Sequence, residues 1–400
     1  MEYIRRLLKA AEEKDVYPIE RAVEAVPYPE LVIKGKKYLC LCSNNYFGLS
    51  IHPAVKQAAI AGIEKYGIGT CDSRLIAGNL ELLEDLEQAI ADFKHAPAAI
   101  VFITGFMTNI GIISGLMDSL DIYDFPSIKN ENNLIITDFL SHQSIFAGCR
   151  LSRSPTKTYL HKDMDHLEKI LKRSKDKRKL IITDGLFSMD GDLAPLPEIL
   201  ELAERYHAMV MVDDAHATGI IGENGRGTPE HFGVEGKVDL VMGTLSKAVG
   251  ALGGFVTGPQ ELIKVLKGRA SSYIYSSSLP PEQACGIMAA LKIIQQQPEL
   301  RASLWKNVHH LKRGLEEMGF DTMDCETQLI PIHIGQEARA IKAARLLFDK
   351  GILAPAIIWP IVQQGKARIR VTAMATHTAA QIDRALEAFR AMGKEIGVIS

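Results

Sequence analysis

The sequence predicts an α/β protein with a large lobe built on a mostly parallel sheet and a small α+β lobe at its C-terminal end. Between about residues 97 and 257, short β-rich runs alternate with amphipathic stretches of helical period. These runs are apolar throughout, as expected for strands covered on both faces. From about residue 320 a shorter, separate series of strand and helix patterns begins, which indicates the second lobe.

Helices are predicted on either side of the apolar runs. Residues 52–67 and 80–93 carry apolar residues at three-to-four spacing and are bordered by glycine. Residues 281–319 predict one long helix, or two consecutive helices broken near Pro298, because proline cannot continue a helix.

Strands of the large sheet are predicted at six apolar runs: AIVFIT, NLIITD, KLIITD, AMVMVDD, DLVMG and GGFVTG. The small lobe is predicted from four elements in order: the strand LIPIHIG, the helix EARAIKAARLLFDKG closed by Gly351, the strand ARIRVT, and a final helix from about residue 378. No internal repeat or low-complexity linker separates the two lobes, so we expect them to be tightly joined.

Composition excludes several classes of protein. The chain has 400 residues, of which 47% are hydrophobic, and it is too long for one compact core. A formal net charge of -2 provides no basic field that would hold a nucleic acid. No apolar run reaches the ~18 residues of a membrane span, and the N-terminal stretch lacks a signal-peptide core. We therefore expect a cytoplasmic protein with neither a membrane span nor a nucleic-acid partner.

The cysteines indicate a reducing compartment. Six are scattered along the chain without a CxxC pair, which favours free thiols over a disulfide framework or a zinc site. Cys40 and Cys42 would share one face of a strand, where we expect ordinary packing. The sequence predicts no metal site.

Acidic residues end three of the predicted strands, at Asp138, Asp184 and Asp213. In open α/β sheets the ligand crevice lies beyond the carboxyl ends of the strands. We therefore expect all three carboxylates to face one mouth.

Two further motifs bring reactive side chains to the same edge. His216 follows Asp213 after a tight turn in MVMVDDAHATG, and the next strand ends at GTLSK with Thr244 and Lys247. An acid, an imidazole, a hydroxyl and a lysine in one crevice suit pyridoxal 5'-phosphate (PLP). The lysine would form the Schiff base, the hydroxyl would contact the phosphate, and the acid would keep the pyridine nitrogen protonated, because an opposite charge raises its pKa by ~1–3 units. Burial would lower the lysine pKa and favour the neutral, nucleophilic amine.

Other interpretations of these residues remain open at this point. Lys247 alone would be an ordinary loop lysine, and Asp213, Asp214 and His216 include residue types that bind metals, as in a metal-dependent hydrolase. A nucleotide phosphate loop does not fit, because no GxxxxGK[ST] motif occurs and GENGRG at 222–227 is not GxGxxG.

Eight motifs in order resemble the α-oxoamine synthase family of PLP enzymes: SNNYFGLSIHP, FITGFMTNIG, DFLSHQSIFAGCRLS, TDGLFSMDGDLAPL, MVDDAHATGIIGENGRGT, GTLSKAVGALGGF, YIYSSSLPP and ARIRVTAMATHT. The likeness runs from about residue 16 to 400 and implies a fold-type I PLP-dependent transferase with a seven-stranded sheet. It further implies an N-terminal segment 1–50 that packs on the small domain, a large PLP-binding domain 51–285 and a small domain 286–400.

The resemblance assigns the residues around the cofactor ring. Lys247 matches the Schiff-base lysine, and Asp213 and His216 match the partners of the ring nitrogen and ring hydroxyl. His142 matches the histidine stacked on the ring, although a histidine in this position also suits a helix start. Ser188 matches a serine near the ring oxygen.

Phosphate contacts are assigned in the same way. The resemblance gives the phosphate the backbone N–H groups of Gly105 and Phe106 and the hydroxyl of Thr244. Phe106 stands where some members carry tyrosine, so a phenolic hydroxyl is absent there. Ser276 or Ser277 would reach the phosphate of the neighbouring subunit, which implies a homodimer with composite sites.

Substrate contacts complete the assignment. Asn44 and Arg370 match residues that hold the amino-acid carboxylate, for which an arginine fork is suited. Spacing alone does not separate Arg370 from Arg368, which lies on the same strand face. Arg74 would meet the phosphates of coenzyme A (CoA), or it is a solvated or ion-paired surface arginine. Asp184 and Asp190 would hold the loop between them in shape.

The implied reaction joins a small amino acid to an acyl-CoA and releases CoA and usually carbon dioxide. The C-terminal stretch and GENGRGTPEHF resemble glycine C-acetyltransferase (2-amino-3-ketobutyrate CoA ligase). ITGFMTNIG and YSSSLPP resemble 8-amino-7-oxononanoate synthase or a serine palmitoyltransferase-like enzyme. We expect a reaction like that of 8-amino-7-oxononanoate synthase. The segment 118–133 matches none of these, and Leu83 replaces a histidine common in the family. A catalytically inactive partner subunit is the alternative of another class.

Overall fold

The computed structural model describes residues 1–13, 20–25, 28–119 and 128–400. Its strands are β1 (Glu30–Ile33), β2 (Lys36–Cys40), β3 (Ala98–Phe102), β4 (Asn133–Asp138), β5 (Thr156–Tyr159), β6 (Arg178–Asp184), β7 (Ala208–Asp213), β8 (Leu240–Thr244), β9 (Gly254–Gly258), β10 (Ile330–Gly335), β11 (Ile352–Leu353), β12 (Ala356–Ile357) and β13 (Ala367–Val371).

The α-helices are α1 (Glu2–Glu13), α2 (Pro53–Tyr66), α3 (Glu81–Phe93), α4 (Gly105–Met117), α5 (Gln143–Ser152), α6 (Met164–Lys172), α7 (Leu196–Tyr206), α8 (Thr228–His231), α9 (Gln260–Arg269), α10 (Ser271–Ile274), α11 (Pro281–Gln296), α12 (Pro298–Glu317), α13 (Glu337–Asp349) and α14 (Ala379–Ile396). Short 3₁₀ helices occupy Leu49–Ile51 and Asn130–Asn132.

The large sheet has seven strands in the order β3-β9-β8-β7-β6-β4-β5. Strand β9 runs antiparallel to β3 and β8, and the other neighbouring pairs are parallel. The prediction of a mostly parallel, seven-stranded sheet is therefore confirmed.

Helices cover both faces of this sheet, which explains why its strands are apolar throughout. On one face Ile112 of α4, Ile145 of α5 and Leu266 of α9 pack in one buried cluster. On the other face Leu167 of α6 and Ile199 of α7 belong to a second. The sheet is thus the middle of three layers, and only its strand ends are free to form a site.

The C-terminal lobe contains a small antiparallel sheet in the order β10-β13-β12. Its last helix, α14, begins with a capping box in which Thr378 and Gln381 satisfy each other's backbone N–H groups. The predicted break at Pro298 is confirmed, since α11 ends at Gln296 and α12 starts at Pro298.

Strand β2 links the N-terminal segment to the C-terminal lobe, because it pairs antiparallel with β1 and parallel with β11. The expected domain boundary after residue 285 lies inside α11, which continues unbroken to Gln296. The domain limits remain a prediction. Half of the unassigned segment 118–133, residues 120–127, lies outside the described residues, and the described part contains the 3₁₀ helix Asn130–Asn132.

In the described part of the chain, no helix combines the length and apolarity that crossing a membrane requires.

The N-terminus of α4 lies directly against the large sheet. A methyl group on Gly254 of β9 would collide with the backbone of Gly105 and with Thr108, so the close approach requires glycine in this strand. Thr104 caps the helix, and its hydroxyl accepts a hydrogen bond from the backbone N–H of Met107 at 3.2 Å. The free N–H groups of this helix end are thereby placed at the strand ends.

His161 fastens the loop after β5 to the sheet between two carboxylates. Its Nδ1 lies 3.1 Å from Oδ1 of Asp138 and its Nε2 lies 3.0 Å from Oδ2 of Asp192. Burial alone would lower the pKa of His161, but the hydrogen bonds and charges of the two carboxylates outweigh it and raise the pKa to about 9. The ring is therefore a cation at neutral pH.

We predict that His161→Gln lowers the free energy of unfolding by about 1.5–3 kcal/mol below pH 6.5. The variant loses two hydrogen bonds between charged groups, and the glutamine amide replaces them only in part. A raised pKa stabilises the fold fully below the unfolded value of 6.5, and this stabilisation disappears as the pH rises through about 9. Urea unfolding on both sides of this window measures the difference. The control is His231→Gln, at an exposed position on α8, and a difference for His161→Gln that does not change with pH contradicts the assignment.

Candidate active site

A cavity of about 280 Å³ opens at the carboxyl ends of β6, β7 and β8. The parallel register aligns these ends, since Asp184 pairs with Asp213 and Asp213 pairs with Met242. The cavity is lined by Thr104, Gly105, Phe106, Asn109, His142, Ser144, Asp184, Leu186, Ser188, Asp213, Ala215, His216, Met242, Thr244, Ser246 and Lys247. It thus brings together the predicted lysine, acid, histidines and threonine.

Lys247 follows β8 and extends into this cavity. Among the described residues its amine has no hydrogen-bond or ion-pair partner. Burial lowers the pKa of Lys247 to about 8, against the opposing charges of Asp213 and Asp184, and the charge of Arg370 adds to the lowering. About a tenth of the amine is therefore neutral and nucleophilic at pH 7, far more than for a lysine with an ordinary pKa near 10.5.

Asp213 is held by two donors on opposite oxygens. Nδ2 of Asn109 donates to Oδ2 at 2.7 Å, and the backbone N–H of Ala215 donates to Oδ1 at 3.0 Å. The residue is buried, so these bonds replace the water that would otherwise stabilise the charge. Oδ1 of Asn109 has no partner although it is buried, which leaves an acceptor at the base of the cavity.

His142 caps the N-terminus of α5, so it occupies the helix-start position and the cavity at once. Its Nδ1 accepts the backbone N–H of Ser144 at 3.3 Å and lies 2.6 Å from the Ser144 hydroxyl. A neutral ring that accepts at Nδ1 carries its proton on Nε2. Burial lowers the pKa of His142, opposed by Asp213 and reinforced by Lys247. His142 is therefore neutral, with Nε2–H as its donor.

Asn109 joins these two parts of the site. Its amide also donates to Oγ of Ser144 at 2.8 Å, so one buried amide group contacts both the Asp213 carboxylate and the hydroxyl that touches His142. The orientation of the acid and of the imidazole is thereby set by one side chain of α4.

His216 is fixed from the side of the N-terminal segment. The Tyr46 hydroxyl lies 2.7 Å from Nδ1 of His216 and donates to Oδ1 of Asn44 at 3.3 Å. The Tyr46 hydroxyl therefore links the His216 ring to Asn44. Burial lowers the pKa of His216 well below its usual value, and Lys247 and Arg370 lower it further, so the ring stays neutral.

One end of the cavity is rich in N–H and hydroxyl groups. Gly105 and Phe106 form the first turn of α4, and a methyl group on Gly105 would lie 3.1 Å from the Thr244 hydroxyl. That hydroxyl lies 2.9 Å from Oγ of Ser246 and donates to the carbonyl of Gly253 at 3.1 Å. A helix N-terminus beside two hydroxyls is suited to an anion such as phosphate.

The structure separates the two candidate arginines of β13. Arg368 is buried and tied to Oδ1 of Asp190 at 2.8 Å and to the carbonyl of Met189 at 2.9 Å. Arg370 donates to the carbonyl of Ser188 at 3.0 Å, and its charge acts on Lys247, as the pKa of the lysine shows. Neither arginine lines the cavity itself, and Asn44 does not line it either. Arg370 contacts Ser188, which does line it, so the assignment of Arg370 to the substrate carboxylate stays a prediction.

Several predicted residues lie elsewhere. Arg74 is in a buried ion pair, 3.0 Å from Oε1 of Glu87, which matches the ion-paired alternative, and its contact with CoA stays a prediction. Ser276 and Ser277 do not line the cavity of their own chain. Leu83 is fully buried in the core.

The expectation for Asp138 is wrong. Its carboxylate accepts hydrogen bonds from His161 and from the backbone N–H groups of Leu140 and Lys162, so it faces the β5 loop and does not line the cavity. Asp184 lines the cavity with Asp213, as expected from its strand-end position, and it also accepts the backbone N–H of His142 at 3.2 Å. Burial and the neighbouring Asp213 raise the pKa of Asp184 well above its usual value.

The metal interpretation does not fit the geometry. Asp214 turns away from Asp213, and its carboxylate accepts the hydroxyl of Thr228 at 2.6 Å and pairs with Lys94 at 3.4 Å. Within the described ranges no group of three or more His, Cys, Asp or Glu side chains could hold an ion. The three side chains of that interpretation therefore do not converge.

Sequence reasoning missed Asn109, Ser144 and Tyr46. Asn109 lies one helical turn after Gly105, and Ser144 lies two residues after the helix-capping histidine, so both spacings point toward the cavity once these helix starts are known. No spacing in the sequence relates Tyr46 to His216, which is 170 residues away.

Known proteins resemble the whole chain. The 8-amino-7-oxononanoate synthase of Thermoanaerobacter pseudethanolicus is 42% identical over 100% of this chain and 98% of its own length. The chain also superposes on the structure of a serine palmitoyltransferase from S. paucimobilis with a bound PLP–myriocin aldimine, with a TM-score of 0.92 and 34% sequence identity. The superposition covers 99% of this chain and 98% of the other. The 8-amino-7-oxononanoate synthase of Francisella tularensis is 26% identical with a TM-score of 0.75, over 90% of this chain and 98% of that chain.

A family comparison agrees with these likenesses and with the site. Residues 36–389 match the family described as aminotransferase class I and II, a span that contains the large sheet, the lysine cavity and β13. The chain belongs to the aminotransferase class I and II family.

Proposed function

We propose that this protein is a PLP-dependent α-oxoamine synthase that joins a small amino acid to an acyl-CoA, as 8-amino-7-oxononanoate synthase does. The observation that carries the proposal is the amine of Lys247, which has a lowered pKa and no partner among the described residues, in a cavity shared with Asp213, His142 and His216. Relatives named 8-amino-7-oxononanoate synthase over nearly the whole length support it.

The residues of the cavity fit PLP group by group. The N-terminus of α4 with Thr244 and Ser246 suits the phosphate, and the firmly held Asp213 carboxylate suits a protonated ring nitrogen. His142 and His216 are neutral and stand at the cavity wall, where one can stack and the other can hydrogen-bond to the ring. The unpartnered Oδ1 of Asn109 adds an acceptor that a bound polar group can satisfy.

When bound, PLP supplies an aldehyde that captures amines and a pyridinium that withdraws electrons from the α-carbon of an amino acid. The protein contributes the remaining chemistry. Lys247, as a neutral amine, takes the proton from the α-carbon of the substrate, and the fixed charge of Asp213 keeps the ring nitrogen protonated meanwhile. Arg370 holds the substrate carboxylate, and Nε2–H of His142 donates to the oxygen where negative charge develops.

A second subunit belongs to this proposal. Ser276 and Ser277 lie in a partly exposed segment outside the cavity of their own chain, next to Tyr275, which is 86% exposed. Ile68 and Ile76 are 79% and 77% exposed in the described chain. Such large exposed apolar side chains suit a subunit interface, across which the serine hydroxyls would reach the neighbouring phosphate site.

A serine palmitoyltransferase-like activity is the second candidate, because the overall structure superposes better on serine palmitoyltransferase (TM-score 0.92) than on the Francisella tularensis synthase (0.75). The two candidates differ in substrates and not in the site described above. A direct comparison of substrate pairs therefore separates them.

We predict that alanine with pimeloyl-CoA gives a kcat/KM at least about tenfold higher than glycine with acetyl-CoA or serine with palmitoyl-CoA, since matched contacts at the reacting centre decide such ratios. Release of the CoA thiol by the PLP-loaded protein measures each pair. Preference for serine and palmitoyl-CoA would establish the second candidate, and preference for glycine and acetyl-CoA would establish the acetyltransferase. No thiol release with any pair would support an inactive partner subunit and contradict the proposal.

We predict that Asn109→Leu weakens PLP binding by about tenfold to a hundredfold, the equivalent of one lost hydrogen bond to a charged group at roughly 1.5–3 kcal/mol. Its physical cause is the loss of the donor to Asp213. Quenching of protein fluorescence by PLP measures the dissociation constant. The matched control is Ser144→Ala, which removes the contact with His142 but leaves the bond from Asn109 to Asp213, and equal losses in both variants contradict this assignment.

A further inference from the structure

Two cysteine thiols lie side by side close to the candidate site. Cys40 is the last residue of β2, and Cys42 follows it with its side chain on the same side, so that the two sulfurs are 3.9 Å apart. Cys40 is 1% exposed and Cys42 is half-buried. No other two cysteine sulfurs in the described chain are in contact.

The distance between the sulfurs favours a bridging atom over a disulfide. A disulfide requires the sulfurs at ~2.05 Å, so they would have to approach each other by almost half of their present separation. An atom that lies between the sulfurs and bonds to both requires a smaller approach than a disulfide does, because each sulfur then needs only to reach the bridging atom. The thiol–thiol contact at 3.9 Å is therefore nearer to a bridged pair than to a disulfide.

The charge state of the pair is also suitable. The hydrogen bond from Cys42 lowers the pKa of Cys40 to about 7, and the same bond raises that of Cys42. One of the two sulfurs is thus a thiolate in a large part of the molecules near neutral pH, and thiolates are the nucleophiles and the ligands of soft ions.

The surroundings limit which ion can bind. In the part of the chain that the structure describes, no third His, Cys, Asp or Glu completes a cluster with this pair. A zinc ion would lack two of its four ligands. A trivalent arsenical needs only the two thiols, because its third bond is to its own substituent.

The pair stands at the substrate end of the site. Asn44 lies two residues after Cys42, and Tyr46, whose hydroxyl donates to Asn44, contacts His216 of the cavity. The charge of Arg370 acts on the Cys42 thiol. An atom bound to both sulfurs would therefore add bulk at the start of the short segment that carries Asn44 and Tyr46.

We propose that Cys40 and Cys42 form a binding site for trivalent arsenicals. Occupation of this site blocks the amino-acid side of the cavity. The bond-forming step is balanced without oxidation or reduction. With an arsine oxide, each sulfur forms one bond to arsenic, the arsenic–oxygen bond breaks, and the two thiol hydrogens leave with that oxygen as water. Only the effect on activity rests on the proposed function.

Phenylarsine oxide tests the site on the PLP-loaded full-length protein. Intact mass spectrometry is expected to show one phenylarsenic group per chain with loss of two thiol hydrogens, and peptide mapping is expected to place it on Cys40 and Cys42. Thiol release in the substrate assay is expected to fall at least about tenfold and to recover with 2,3-dimercaptopropanol. Because two linked ligands bind cooperatively, Cys40→Ser and Cys42→Ser should each weaken the adduct about a hundredfold while keeping the activity.

The control variant is Cys71→Ser, which removes an exposed single thiol and should bind the reagent as the unmodified chain does. Absence of an adduct, or an adduct that persists in both Cys40→Ser and Cys42→Ser, overturns the site. An adduct at Cys40 and Cys42 without loss of activity overturns the blocking effect. The mass measurement needs no substrate, so failure of the proposed function would leave it interpretable.

Discussion

The balance of charge around the Lys247 amine is the constraint on which the rest of the site depends. Burial disfavours an ammonium ion there, whereas Asp213 and Asp184 favour it, and the outcome is a pKa of about 8. A fully charged lysine would be a poor nucleophile. In a purely apolar pocket no carboxylate would oppose the effect of burial, and the pKa of the amine would fall further. Burial and the charge of Lys247 also lower the pKa of His142 and of His216. Asp213 is held by two hydrogen bonds, from Asn109 and Ala215.

The fold provides this balance through the register of its parallel strands. Because β6, β7 and β8 end side by side, Asp184, Asp213 and the loop that carries Lys247 meet without long connecting segments. Helix α4 closes the other side, and its approach depends on the absence of a side chain at Gly254. The same helix supplies Asn109, so the anion-binding end and the support for Asp213 come from one rigid element.

Much of this arrangement is predictable from the sequence, and the reasons for the exceptions are physical. The apolar strands and amphipathic helices follow from periodicity, and Lys247, Asp213 and His216 follow from strand ends and motifs. Strand β5 was not predicted because three of its four residues, Thr156 to Thr158, are exposed at the sheet edge and lack an apolar pattern. Asp138 shares the strand-end position of Asp213 but meets His161, a contact between loops that no spacing reveals. Arg368 and Arg370 are equivalent by period, and only the position of Asp190 distinguishes them.

We propose that the amine of Lys247 is the group that binds the cofactor covalently. Borohydride reduction of the PLP-loaded protein, followed by peptide mass spectrometry, tests it most directly, because reduction makes a bond between PLP and an amine permanent. We expect the cofactor mass on the peptide that contains Lys247 and on no other lysine. Attachment to a different lysine, or to none, would contradict it.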